Sequence, residues 1–414
     1  MDCGLQVLAA QYYCSRPQEA QMPESVNVKN IGLRGVTVAD TKVSFIDGKK
    51  GVLVYRGYRI EDLAQNASFP EVAYLLLHAV LPDSQQLADF TQQLQEASVL
   101  PPYVYQVFKH FPTDAGPMDV LQAGVPLLAM ADPELSDETK EANNRKAVRL
   151  IARLPMLVAA WHRIRQGLEP LPTDPTLSHT ENFLWQLQGV KPSKAKAEIL
   201  DTCLVLHADH TFNASTFSCR QVVSTRAHIY AGVTAGIGAL SGSLHGGANA
   251  QVMKMLLALK EEKDVANWVK KELDKGKRIM GMGHAVYKTM DPRAIFLKEM
   301  ALQLGKETGQ EQIVTLSMQI EHAALSEFEK RGKTEIKPNV DFYSASVYHL
   351  LGIPTDLMTP IFAISRIAGW SAHIVEEKTG EAQRKPALYR PKAEYIGKYC
   401  GQMGCVFEAL EKRK

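Results

Sequence analysis

Neither sign of charge dominates this sequence. Lys and Arg total 47 against 45 Asp and Glu, a formal net charge of +2. A large phosphate-binding face leaves a basic excess, so nucleic acid is not expected as a main partner. Cysteine is scarce as well. The six are Cys3, Cys14, Cys203, Cys219, Cys400 and Cys405, with no Cys-x-x-Cys pair, too few for a disulfide framework in 414 residues. A reducing compartment follows. Cys400 and Cys405 alone are close enough to raise a disulfide or metal pair. The first 30 residues lack a basic run: Arg16 is the only basic residue before Lys29, Glu19 and Glu24 are acidic, and the apolar stretch Val7–Ala10 is short. Neither a secretory signal nor a transit peptide is expected, which favours a cytoplasmic location. Repeats and low-complexity linkers are absent.

What is present is an ordinary globular composition, 45% hydrophobic and 22% charged, with material for two to four domains or one large core plus a lobe. Ala227 to Met253 holds no Lys, Arg, Asp or Glu and is long enough to span a membrane. It also carries six glycines, three Ser/Thr hydroxyls and two histidines, and His245-Gly246-Gly247 breaks a continuous helix. A buried helix of a soluble core is the better reading, and no membrane is expected. Gly232-x-x-x-Gly236 leaves room for another helix, from a second subunit among others.

Period-two alternation occurs once, around Asp47-Gly48-Lys49-Lys50-Gly51, and predicts a hairpin from Val43, Phe45, Val52 and Val54. Helices are expected elsewhere. Ser68-Phe69-Pro70-Glu71 is a start signal with a capping box. Further helices are expected over 87–97, 119–130, 141–165 (bent or split at Pro155), 195–207, 252–259, 263–275, 294–304, 310–330, 340–351 and 359–377. The fold class is therefore mainly α. A change of composition near 254–278 is the best domain boundary, and residues 1–27 read as an irregular arm.

Several segments could carry chemistry. In Ser243-Leu244-His245-Gly246-Gly247-Ala248-Asn249, glycines leave a ligand room to reach an imidazole; equally, the histidine could only cap a tight turn. In Lys277-Arg278-Ile279-Met280-Gly281-Met282-Gly283-His284, a second histidine follows a glycine-rich loop that lacks both the dinucleotide and the P-loop spacing. Lys271, Lys275, Lys277 and Arg278 read as a solvated face. Asp341, in Lys337-Pro338-Asn339-Val340-Asp341-Phe342-Tyr343, is either a helix cap or a carboxylate raised toward base duty by apolar burial. His207-x-x-His210 could chelate a metal but has no third ligand in view. Arg293, Arg366 and Arg390 are isolated arginines suited to carboxylates, or surface ion-pair partners.

Taken together, these segments resemble the citrate synthase family. Ser243–Asn249 resembles its first catalytic-histidine segment, Gly281–Lys288 with Asp291-Pro292-Arg293 the second, and Pro338–Ser344 the catalytic-aspartate segment. Ile46–Gly48, Tyr55–Tyr58 and Glu71–Leu77 resemble its N-terminal region, so the similarity covers roughly residues 30–400. Two departures are visible. Ala285 stands where many bacterial members have arginine, and Thr211 where glutamate is common.

The resemblance implies a mainly α homodimer with a large domain (28–254 and 356–414), a small domain (255–355) and a site in the cleft between them. It implies condensation of acetyl-CoA with oxaloacetate in the tricarboxylic acid cycle. Asp341 would take the methyl proton, His245 would stabilise the enol, and His284 would polarise the ketone. His210, Arg293, Arg366 and, from the partner subunit, Arg390 would hold oxaloacetate. Arg278, Ile279, Met280, Gly281, Gly283 and Asn339 would hold CoA. No metal or other cofactor is expected. 2-Methylcitrate synthase, using propionyl-CoA, is the nearest rival; a non-catalytic acyl-CoA-binding paralogue is the rival of another class.

Overall fold

The computed structural model describes residues 32–33, 35–383, 386–397 and 407–413. Cys3, Cys14, Cys400, Cys405 and the expected N-terminal arm lie outside them. Residues from Thr41 onward form one compact unit; the described residues before it contain neither helix nor strand.

The expected hairpin is there. Strand β1 (Ser44–Asp47) pairs antiparallel with β2 (Val52–Tyr55), Asp47 facing Val52. A two-residue strand not foreseen from the pattern, β3 (Tyr58–Arg59), extends the sheet. Leu53 and Tyr55 are buried while Phe45 is exposed, so the sheet has one core face.

Helices make up the rest: α1 (Ile60–Asn66), α2 (Phe69–His78), α3 (Ser84–Ala97), α4 (Pro102–Lys109), α5 (Pro117–Met130), α6 (Lys140–Ile164), α7 (His179–Gln188), α8 (Lys194–His207), α9 (Ala214–Val223), α10 (Ile229–Ser241), α11 (Ala248–Ala258), α12 (Val265–Asp274), α13 (Pro292–Thr308), α14 (Glu311–Lys330), α15 (Val340–Leu350) and α16 (Met358–Thr379). At the head of α2, the Ser68 N–H and Oγ both donate to Glu71 at 2.7 Å, satisfying the cap signal read from sequence. Pro155 neither ends nor splits α6, which runs on through it for 25 residues. Tertiary burial on both sides of the proline outweighs the one lost hydrogen bond.

Helix α16 runs through the centre, buried over nearly its whole length and touching α2, α6, α8, α9 and α10. The charged residues at its C-terminal end are paired, as buried charges must be. Arg220 of α9 meets Glu376 at 2.5 Å and Glu377 at 2.8 Å. His373 lies 3.3 Å from Asp209.

The uncharged stretch becomes α10 and α11 with a break over 242–247. No helix among the described residues is long and apolar enough to cross a membrane. Its small residues seat neighbours from the same chain. A Cβ on Gly232 would meet Val223 and Ile374, and one on Gly236 would press on Cys219 and Trp370. The close approach expected of Gly232 and Gly236 is met within the chain by α9 and α16. Helices α11 and α13 both pack on α15, and this packing brings the breaks before α11 and α15 to the same place.

Candidate active site

Both breaks open on a cavity of about 940 Å³, within the range of small-molecule sites. Its lining includes His210, His245, Arg278, Ile279, Met280, Gly281, Gly283, His284, Arg293, Asn339, Asp341 and Arg366. Every candidate site residue but one is therefore brought to a single cavity. The exception is Arg390, which is exposed on the segment after α16 and does not line it.

His245 sits in the turn between α10 and α11. Its neighbour Gly246 packs so close to the Leu240 carbonyl that a Cβ there would lie 3.0 Å from that carbonyl's carbon, and Gly247 begins α11 at φ 78°. His245 does not cap α11, the helix that follows it; its ring reaches instead to the first turn of α9. Its Nε2 accepts the Ser215 N–H at 3.2 Å and lies 2.8 Å from Ser215 Oγ. That hydroxyl donates to Asn213 Oδ1 at 2.7 Å and accepts from Trp370 Nε1 at 3.2 Å. An Nε2 that accepts leaves the ring proton on Nδ1.

His284 is held the opposite way round. Its Nδ1 accepts the Val286 N–H at 2.9 Å and the Tyr287 N–H at 3.1 Å, so its proton sits on Nε2. Burial, reinforced by Arg366 at His245 and by Arg293 at His284, pushes both pKa values down to about 4. Both rings are therefore neutral donors near pH 7.

Asp341 is the second residue of α15. The helix is capped by Asn339, whose Oδ1 accepts the Asp341 N–H at 2.9 Å. The capping account of Asp341 therefore fails, and its carboxylate is left to the cavity. Burial raises its pKa to about 6 against the pull of Arg293 and Arg366, the condition for a base that accepts a proton near neutrality.

Arg293 and Arg366 are each about 1% exposed, which corrects the surface ion-pair alternative. Arg293 forms a fork with Asp291 at 2.9 and 2.8 Å. Arg366 Nε donates to the His207 carbonyl at 2.7 Å, and burial lowers its pKa to about 10. Two buried guanidinium groups at one cavity suit a dicarboxylate.

His210 is buried with its Nε2 unpartnered, its ring 5.2 Å from that of His284. His207 instead turns away, with Nδ1 2.7 Å from the Cys203 carbonyl. Among the described residues no cluster of three or more His, Cys, Asp or Glu could hold a metal.

The glycine-rich loop is stitched to the start of α15. Gly283 N–H donates to the Lys337 carbonyl at 2.8 Å, Asn339 N–H to that of Gly281 at 2.9 Å, and Asn339 Nδ2 to that of Gly283 at 2.8 Å. Gly281 and Gly283 take φ of 77° and 85°, open to glycine without strain. Arg278 is exposed at the rim, and Lys275 and Lys277 pair with Glu272, the solvated face expected of them.

Ser215, Asp291 and the Val286 and Tyr287 amides were missed from sequence. Asp291 adjoins a motif and could have been found as the arginine's partner; Ser215 is 30 residues from His245, and nothing in the pattern links them.

A neutral pair of imidazole donors, a raised carboxylate and two buried arginines around one cavity in an all-helical framework define an acid–base enzyme acting on a carboxylate substrate. The chain belongs to the citrate synthase family: it matches the family's C-terminal domain over residues 32–392. It is 46% identical over 367 residues to Citrate synthase 2 of Bacillus subtilis (strain 168), covering 88% of this chain and 95% of that one. 2-Methylcitrate synthases are also among its relatives. The crystal structure of citrate synthase from Pyrobaculum aerophilum superposes with a TM-score of 0.85 at 36% identity, covering 92% of this chain and 95% of that one. The Thermoplasma acidophilum enzyme, in a ternary complex with carboxymethyl coenzyme A and oxaloacetate, superposes at 0.83 with 30% identity, over 92% and 98% of the two chains.

Proposed function

We propose that this protein condenses acetyl-CoA with oxaloacetate and water to give citrate and CoA. The observation that carries the reading is Asp341, a carboxylate raised to about 6, facing one cavity with two imidazoles whose protons are fixed on opposite ring nitrogens.

The thioester methyl is a weak acid, so its base must be accurately placed. Asp341 takes the methyl proton. His245 donates from Nδ1 to the thioester oxygen as enol charge develops there, an oxyanion-type stabilisation. The enol carbon attacks the oxaloacetate ketone. His284 polarises that ketone from Nε2 and gives the new alkoxide its proton. Water then cleaves the citryl thioester to release CoA. Arg293, Arg366 and His210 hold the oxaloacetate carboxylates, and Arg390 completes that set from the partner subunit of a homodimer. The loop from Arg278 to Gly283, with Asn339, holds CoA largely through backbone groups. No step calls for a metal.

In this reading residues 28–254 and 356–414 form a large domain and 255–355 a small one, closing over the cavity to exclude water. A cytoplasmic location is part of this reading, supported by the sparse cysteine.

Propionyl-CoA differs by one methylene, worth only about 1–3 kcal/mol in an apolar pocket, so the two acyl donors are compared directly. Thiol release is measured from acetyl-CoA and from propionyl-CoA, each with oxaloacetate, for wild type and Asp341→Asn. Faster release from acetyl-CoA, lost in the variant, is expected. Faster release from propionyl-CoA would move the protein to 2-methylcitrate synthesis by the same steps. No release from either would leave a non-catalytic acyl-CoA-binding protein.

A further inference from the structure

The β1–β2 hairpin has no part in the chemistry described above, yet it spans two of the histidine loops. Its base is locked to the His210 turn. Ser44 Oγ donates to Asp209, and the Tyr55 hydroxyl donates to the Asp209 carbonyl at 2.8 Å while accepting the Asp209 N–H at 3.1 Å. The Thr211 N–H donates to Ser44 Oγ and Asp209 Oδ2 at 3.1 and 2.9 Å. This holds Thr211 at φ 46°, a left-handed conformation that a β-branched residue adopts only under constraint.

The tip of the same hairpin rests on the His284 loop. Three successive peptide N–H groups, those of residues 286–288, lie just beyond His284. The first two, of Val286 and Tyr287, hold its Nδ1. The third, of Lys288, donates to the Gly48 carbonyl at 2.8 Å. Gly48 also lies flat against the Val286 peptide: a Cβ there would come within 2.8 Å of the Val286 carbonyl carbon, and closer still to its oxygen. The obstacle is backbone, which cannot swing aside as a side chain would. Gly51 makes a second, looser contact, its added carbon meeting the Met290 oxygen at 3.0 Å.

We propose that Gly48 is a positioning residue: by seating the hairpin tip on the 286–288 peptides it fixes the ring orientation and tautomer of His284, and with its base on Asp209 the hairpin sets the spacing of His284 from His210. The catalytic consequence rests on the function proposed above; the structural one does not. A displacement of about 1 Å in a reacting group costs on the order of a hundredfold in rate, so a small push on Val286 is enough to be seen.

The test compares wild type, Gly48→Ala and Lys49→Ala, the last an exposed neighbour on the same turn. Imidazole 15N spectra report the His284 tautomer, CoA release reports kcat and the oxaloacetate KM, and thermal midpoints report folding. Expected for Gly48→Ala are loss of the single Nε2-protonated pattern and a roughly tenfold to hundredfold fall in kcat, with KM changed less than about threefold. Lys49→Ala should match wild type throughout. Should Gly48→Ala fail to fold, Gly51→Ala takes its place; it adds backbone strain at φ 67° and presses on Met290, and a partial loss of the Nε2-protonated pattern is expected of it. A wild-type 15N pattern and kcat in the glycine variant, or an equal loss in Lys49→Ala, overturns the proposal. If wild type releases no CoA, the functional reading falls, and the 15N comparison still decides what Gly48 does.

Discussion

His245 and His284 share one cavity and the same depressed pKa of about 4, but they are held by different means. His245 is fixed from a distant helix, by Ser215 with Trp370 and Asn213 behind it. His284 is fixed by its own loop, through the amides two and three residues on. The first arrangement leaves the proton on Nδ1 and the second on Nε2. Two neutral donors aimed from opposite ring nitrogens suit a reaction with two carbonyl oxygens to stabilise at once, one on each substrate. Tautomer, and not charge, distinguishes the two sites, so a substitution that spares the ring can still spoil it.

The largest effect should come from the carboxylate that shares their cavity. Asp341→Asn keeps the shape and removes the proposed base, and a fall in kcat of about 10²- to 10⁴-fold is expected in a thiol-release assay. The same variant should melt a few degrees above wild type at pH 8. Asp341 titrates at about 6 in the folded protein against an ordinary 3.8. The folded state therefore keeps a proton between these values that the unfolded chain releases, and stability falls as pH rises through that window. Above it the full cost of a desolvated carboxylate is present, and the amide removes that cost. The two histidines act with the opposite sign. Between pH 6.5 and about 4 the unfolded chain takes up protons that both folded sites refuse, so their contribution to stability is lost as the pH falls.

Next in size, His245→Ala and His284→Ala should each cost about 10²- to 10³-fold in kcat, the scale of one oxyanion donor. If the pair divides as described, only the His284 variant should lose polarisation of bound oxaloacetate, read as the 13C shift of its ketone carbon. Equal loss in both would erase the distinction between them. Ser215→Ala should be the mildest. Its N–H still reaches His245 Nε2, so kcat should drop less than about tenfold, while the orphaned Trp370 N–H costs about 1–3 kcal/mol in denaturant unfolding; Asn213 Oδ1 keeps the Thr216 N–H.

How much of this was legible in the sequence follows from range. The hairpin, the α2 cap and most helix spans are local patterns, and they appear within a few residues of where periodicity put them. The exceptions were segments decided by packing: α1, α4, α7 and α9 were not anticipated, and α6 passes through Pro155 because its flanks are buried on both sides. In the site, His245, His284 and Asp341 stood out because each sits in an unusual local segment. What sets their proton positions was not legible. Ser215 is 30 residues from His245, and Gly48 is more than 200 from the loop it supports; only the fold juxtaposes them. The arginines were ambiguous for a related reason. Nothing in Ser365-Arg366 tells that α16 is the central helix, which is what turns an ordinary surface arginine into a buried one.

The most direct measurement is the pH dependence of kcat/KM for CoA release from acetyl-CoA and oxaloacetate, in wild type and Asp341→Asn. Wild type should lose activity below a midpoint of about 6, as the Asp341 carboxylate takes up a proton, and the residual activity of the variant should lack that limb. The same limb persisting in Asp341→Asn, or a wild-type profile flat down to pH 4, would contradict the assignment of Asp341 as the base.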